Sequence, residues 1–121
     1  MPQFRETIPV DDYVIDVLLR DLVGHDRQPA AYLIYLYLYG QAARSKWRAV
    51  PASLRMLAEA TGFSKSAVQS ALENLRRREL IVTTRDHATA VPRHRVVRHW
   101  RTRIPRRASY TACDSRKGKT P

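Results

Sequence analysis

The sequence predicts a mainly α-helical domain closed by a small β-ribbon. Three observations carry this. Apolar residues recur three and four apart along most of the first two-thirds of the chain. Two short helical stretches, each preceded by a serine, flank the single glycine Gly62. After them comes "LIVTTR", a β-branched run, then the loop "DHATA" and a second strand candidate, "RHRVVRHW".

The elements follow in order. "PVDDYVIDVLLRDLVG" carries acids at its start, where a helix dipole favours them, and apolar residues at Ile15, Leu18, Leu19 and Leu22. Val14, Val17 and Val23 widen that face, and Gly24 is a plausible stop, so the spacing predicts a helix over 11–23. Asp16 and Arg20 form an ordinary i, i+4 pair on it. "DRQPAAYLIYLYLYGQAARSKW" alternates tyrosine and leucine as a strand does. Yet Pro29 suits a first helical position and the segment exceeds most strands in length, so we read a buried helix over 29–44. Ser53 caps a short helix through Leu54, Leu57 and Ala58 that stops at Gly62. Ser64 caps the next, which buries Val68, Ala71, Leu72 and Leu75 and leaves Lys65, Ser66, Gln69, Ser70 and Glu73 outside.

Composition narrows the partners. The 121 residues fit one domain, and a net charge of +11 attracts polyanions. Ten of the basic residues lie between Pro92 and the C-terminus against one acid, Asp114, whereas residues 1–27 hold six acids against three arginines. Residues 1–101 read as the folded domain and 102–121 as a basic tail too poor in apolar residues to order alone. The lone Cys113 allows no internal disulfide. No secretory leader or membrane-length apolar run is evident, so an intracellular protein without a membrane partner is expected. His87, His94, His99 and Cys113 lack metal-ligand spacing, and no nucleophile–base pair or phosphate-cradling glycine loop stands out. The sequence therefore predicts no metal, cofactor, small-molecule effector or enzymatic activity.

Two short helices about a glycine turn, then a two-stranded ribbon, make a helix-turn-helix followed by a wing. Ala58 sits where a bulkier side chain would push the helices apart, Gly62 where the turn wants positive φ, and Val68 where the second helix locks onto the first. With Leu57, Ser64, Ala71, Leu72, Leu75, Leu80 and Ile81, this pattern resembles the winged helix-turn-helix DNA-binding proteins of bacteria, of the GntR, MarR and plasmid-replication type. The resemblance covers about residues 50–100. Such proteins often carry glycine before the final Leu-Ile; here Glu79 leaves the helix without a glycine stop, and the wing turn lacks glycine too.

The resemblance implies a cytoplasmic, nucleoid-associated protein that binds double-stranded DNA by inserting the helix from Lys65 into the major groove. Ser64, Lys65, Ser66, Gln69 and Ser70 then face phosphates or base edges, with Gln69 able to pair bidentately with adenine. Arg76, and Arg85, Arg93 and Arg95 of the wing, supply further phosphate contacts. Within this class the sequence leaves open a transcriptional regulator, a plasmid or phage replication or partition factor, and a protein-interaction module with a nucleic-acid-binding tail. The apolar surface of the first two helices exceeds what one ribbon and one helix pair can cover, which predicts a homodimer; a first helix folded back over the second is the alternative.

Overall fold

The computed structural model of the chain describes residues 7–103. The basic segment from 104 onward, with Cys113, lies outside the described residues. The helices are α1 (Pro29–Arg44), α2 (Leu54–Thr61), α3 (Lys65–Arg77) and α4 (His99–Arg103), with strands β1 (Val50–Pro51), β2 (Ile81–Thr84) and β3 (Arg93–Val96). Two consecutive π-helical segments, Val14–Leu18 and Arg20–His25, precede them. This is the architecture of a winged helix-turn-helix.

The N-terminal helix departs from expectation in its winding. Its bonds run i→i+5, as from Leu19 N–H to the Val14 carbonyl and from Asp26 N–H to Asp21. A turn that holds more than four residues nearly superposes every fourth one. Val14, Leu18 and Leu22 therefore point inward and are buried, while Ile15, Leu19 and Val23 stay exposed. Gly24 is not the stop. The helix continues to His25, and Arg27 takes the left-handed conformation at φ 56°, with Gln28 N–H reaching back to the Leu22 carbonyl at 2.8 Å. The Asp16–Arg20 pair does not form; Arg20 Nε lies 3.8 Å from Asp21.

Helix α1 starts at Pro29 and ends at Arg44, as its composition predicts. It is the centre of the core. Ala31, Tyr32, Ile34, Tyr35, Leu38, Tyr39 and Ala42 are buried against the π-helical segment, α2, α3 and β3. Three tyrosine hydroxyls find partners at its edges. Tyr32 donates to the Val14 carbonyl, Tyr35 donates to the Val97 carbonyl, and Tyr39 accepts from Asp11 N–H, each at 3.1 Å. Each bond ties α1 to a segment distant in sequence.

The helix-turn-helix forms as its residues dictate. Ser53 accepts from Met56 N–H and Ser64 from Ala67 N–H, both at 3.1 Å, so each serine caps its helix. Gly62 between them has φ 86°, and its N–H closes α2 on the Ala58 carbonyl. Val68, Ala71, Leu72 and Leu75 line the buried side of α3, and Asn74 joins them. The chain stops α3 without a glycine: Glu79 itself takes φ 61°, and Leu80 N–H bonds back to the Leu75 carbonyl at 2.9 Å.

The ribbon is a three-stranded antiparallel sheet in the order β1-β3-β2. The third strand, Val50–Pro51, pairs Val50 with His94 and Pro51 with Arg93. Two residues just before a helix cap give no strand periodicity, which is why the sequence predicts only two strands. Strand β3 ends at Val96, short of the predicted "RHRVVRHW", because His99 and Trp100 begin α4. Thr102 and Arg103 belong to α4 too, so the domain boundary predicted at residue 101 falls inside a helix. Trp100 stacks on Tyr13 with ring centroids 4.6 Å apart and donates to Asp11 at 2.8 Å, and Arg101 grips the same carboxylate twice at 2.7 Å. Asp11 is thus a tether between the two ends of the domain as well as a helix-start acid.

Candidate nucleic-acid interface

Helix α3 presents a polar outer face because its apolar residues are all spent on the core. Ser64, Lys65, Ser66, Gln69 and Ser70 are exposed. The Ser64 hydroxyl caps the helix and also lies 3.3 Å from the Ser66 hydroxyl, so two small side chains share the first turn.

A groove runs between α3 and the sheet. It is lined by Leu54, Gln69, Leu72, Arg76, Thr83, Arg85, Pro92 and His94. Three of the predicted contact residues, Gln69, Arg76 and Arg85, therefore meet in one place. Arg85 also donates to the Ala88 carbonyl at 3.0 Å, which holds it against the wing loop. Lys65, Ser66 and Ser70 lie toward the N-terminal half of α3 and do not line the groove.

Arg93 and Arg95 do not converge with them. Alternation along β3 turns His94 and Val96 inward and Arg93 and Arg95 outward, where they are exposed. Arg93 also lies 3.5 Å from Asp86 across the base of the wing loop. These two arginines give the wing its outer positive charge.

The arginines that follow α3's contact face divide by task. Arg77 donates to Asn74 Oδ1 at 2.5 Å. Arg78 donates from Nε and Nη2 to Asp26, at 2.5 and 2.7 Å, and so belongs to the scaffold. Arg76 reaches the Thr83 hydroxyl at 3.2 Å and is exposed at the groove.

Sequence reasoning missed four residues here. Thr83 and His94 underlie the groove: Thr83 Oγ1 is 2.9 Å from His94 Nδ1, and His94 Nε2 is 3.0 Å from the Ala52 carbonyl. His94 is 1% exposed, and burial holds its imidazole below the ordinary histidine range. Alternation about Val96 was the available signal for His94's inward position. Asn74 was masked by its place in a polar stretch; its amide donates to Asp26 at 3.2 Å. Trp47, whose backbone is left-handed at φ 64°, carries the Arg98 guanidinium 3.5 Å above its ring.

Among the described residues, no three of His, Cys, Asp and Glu come together as metal ligands would, and no helix is long and apolar enough to cross a membrane. Residues 28–81 match the family of helix-turn-helix domains, a span that runs from the start of α1 through α2 and α3 to the first residue of β2. No curated protein and no solved structure matches the chain.

Proposed function

We propose, from the helix-turn-helix domain over residues 28–81, that this protein binds double-stranded DNA sequence-specifically and regulates transcription. The observation that carries the proposal is the face of α3. Lys65, Ser66, Gln69 and Ser70 are exposed on one side of a helix whose opposite side is fully committed to the core. A major groove admits one α-helix, and this one offers a bidentate reader in Gln69 and a phosphate donor in Lys65. The outward arginines of the wing, Arg93 and Arg95, take the flanking backbone. A net charge of +11 supports the same reading.

The working form is a homodimer. Its support is the line of Ile15, Leu19 and Val23, exposed at 51%, 41% and 36% although each is a large apolar residue. The first helix does fold over α1, as the alternative required, with Val14, Leu18 and Leu22 its buried residues. A second copy would cover the other line, and a two-fold axis there would make the target an inverted repeat.

Replication or partition at an origin is the second reading, because the same face serves any duplex. Selection of bound duplexes from a random library tests the proposal, and the genomic position of the recovered site separates the two trades. Recovery of a single motif supports sequence-specific binding. Unselective recovery at all salt concentrations overturns it.

A further inference from the structure

The groove between α3 and the sheet is floored by a chain of hydrogen bonds whose donor and acceptor roles follow from the chemistry of the partners. The Ala52 carbonyl can only accept, so His94 Nε2, 3.0 Å away, carries the hydrogen. Burial above all, with the Arg76 and Arg85 charges, outweighs the opposing hydrogen bond to Ala52 and holds the His94 imidazole below the ordinary histidine range, so the neutral ring is the form present at neutral pH. Its Nδ1 must therefore accept, and the only donor at 2.9 Å is the Thr83 hydroxyl. That leaves the Thr83 oxygen with lone pairs to offer, and Arg76 donates to one of them at 3.2 Å. The direction of every bond in the chain Arg76, Thr83, His94, Ala52 is thus fixed by a backbone carbonyl at its buried end.

The register of the sheet builds this chain. Thr83 pairs with His94 across β2 and β3, and His94 pairs with Val50 across β3 and β1. The short third strand brings Ala52 beneath the imidazole, with Ala52 N–H held on the Pro92 carbonyl at 3.0 Å. At the other end stands an arginine with five N–H donors, of which Thr83 takes one. The guanidinium is exposed, lines the groove beside Gln69 and Arg85, and is not in an ion pair among the described residues. An arginine of this kind is ordinarily a flexible cation. This one is restrained from behind while its remaining donors face the solvent of the groove.

We propose that Thr83 and His94 are positioning residues that hold Arg76 ready as a phosphate clamp at the seam between the recognition helix and the wing. The inference rests on the DNA-binding reading above. Its physical content is preorganisation. Ordering a long side chain on binding is costly, and a side chain ordered beforehand avoids that cost. The clamp takes the phosphodiester backbone rather than a base, so its effect is the same on every sequence.

The experiment measures binding of the full chain to a mixed-sequence duplex of about 30 base pairs over a range of salt concentration. Arg76→Ala should lower the salt slope by about one unit. Thr83→Val keeps the shape and removes the hydroxyl. It should weaken binding about 2- to 10-fold, the range for ordering one rotamer-rich side chain, while the slope stays near that of the unaltered protein because the charge is still present. Thr83→Ser should restore the affinity. Thr83→Val added to Arg76→Ala should cost nothing further, since the hydroxyl acts only through Arg76. Equal losses from Thr83→Val in both backgrounds overturn the positioning role, as does an Arg76→Ala protein that binds normally. If the valine variant fails to fold, nitrogen NMR of the unaltered protein decides: slow rotation of the Arg76 guanidinium supports the clamp, and free rotation overturns it. An unaltered protein that binds no duplex overturns the DNA-binding reading itself, which separates that failure from failure of the clamp alone.

Discussion

Asp26, one residue past the N-terminal helix, accepts two hydrogen bonds from the Arg78 guanidinium one residue past α3, at 2.5 and 2.7 Å. Asn74 adds a third at 3.2 Å, and Asp21 lies 3.9 Å from Arg78. The pair joins the end of the first helix to the end of α3. It therefore fixes the helix that carries the contact face against the element that carries the exposed apolar line. Neither side chain is far into solvent, at 14% exposed for Asp26 and 31% for Arg78, so water screens the pair only in part.

Asp26→Asn should destabilise the domain by about 1.5–3 kcal/mol, the range for hydrogen bonds between charged groups, read as a lowered midpoint of chemical unfolding. The same pair makes stability acid-sensitive. Arg78 holds the Asp26 carboxyl well below the usual carboxylate range, and Arg101 and Trp100 lower Asp11 in the same sense. The unfolded chain takes up protons at these two sites first, so their stabilisation is complete above the usual carboxylate range and is lost as pH falls below about 5. His94 acts earlier in the same direction. Its folded value lies below the ordinary one, so the unfolded chain gains a proton first as pH falls through about 6.5. Thermal melts from pH 7 to pH 3 should show a steady fall, and Asp26→Asn should flatten its lower part. An equal slope in both proteins would remove Asp26 from the account.

Glu79 offers a test in the opposite direction. It holds φ 61° at an exposed position where a side chain is disfavoured. Glu79→Gly removes that strain, worth about 1–2 kcal/mol, against about 0.5–1 kcal/mol of added chain entropy in the unfolded state. A net gain of roughly 0.5–1 kcal/mol is expected, visible as a higher melting temperature. A loss would mean that the Glu79 side chain contributes more than its backbone costs.

Much of this fold was legible because local chemistry and tertiary fate agreed. Pro29, Ser53, Gly62 and Ser64 each mark a helix boundary by a mechanism confined to a few residues, and each boundary stands where it was read. What was not legible depended on partners far along the chain. Nothing near Asp11 announces Trp100 and Arg101, 89 and 90 residues on. Val50–Pro51 is a strand only because β3 lies beside it. The widening of the first helix to i→i+5 bonding shifts Ile15 and Leu19 outward, and no spacing rule based on an α-helix anticipates it. The exposed polar face of α3 was readable, since it is what remains when the buried stripe is subtracted. The groove was not, since Thr83 and His94 meet Arg76 only through sheet register.

The contact face itself makes the next prediction. Gln69 is exposed on α3 and lines the groove. Gln69→Ala should cost about 1–3 kcal/mol on a selected site and relax preference at one base position. Lys65, in the first turn, is read as a phosphate contact, so Lys65→Ala should weaken all sequences alike and lower the salt slope by about one unit. Titrations of both variants on the selected site and on a scrambled one separate the two effects. If neither variant differs from the unaltered protein on either duplex, α3 does not enter the groove of DNA.

The last prediction concerns the exposed line of the first helix. Ile15, Leu19 and Val23 lie four apart and so share one face, turned away from the core that Val14, Leu18 and Leu22 enter. Leu19 is the middle of the three and contributes nothing to the buried core, so a charge there should be tolerated by the fold. Leu19→Asp should convert a two-chain particle to a single chain in light scattering at micromolar concentration, with an unchanged circular dichroism spectrum. It should also weaken binding to an inverted repeat far more than to one half-site, because the proposed dimer would hold two copies of α3 roughly 34 Å apart, one turn of duplex. Leu18→Asp is the contrasting case. Leu18 is 2% exposed, so a charge there should unfold the domain rather than dissociate it. An unaltered protein that scatters as one chain, with the same affinity for one half-site as for two, would end the dimer proposal and leave the line to another partner.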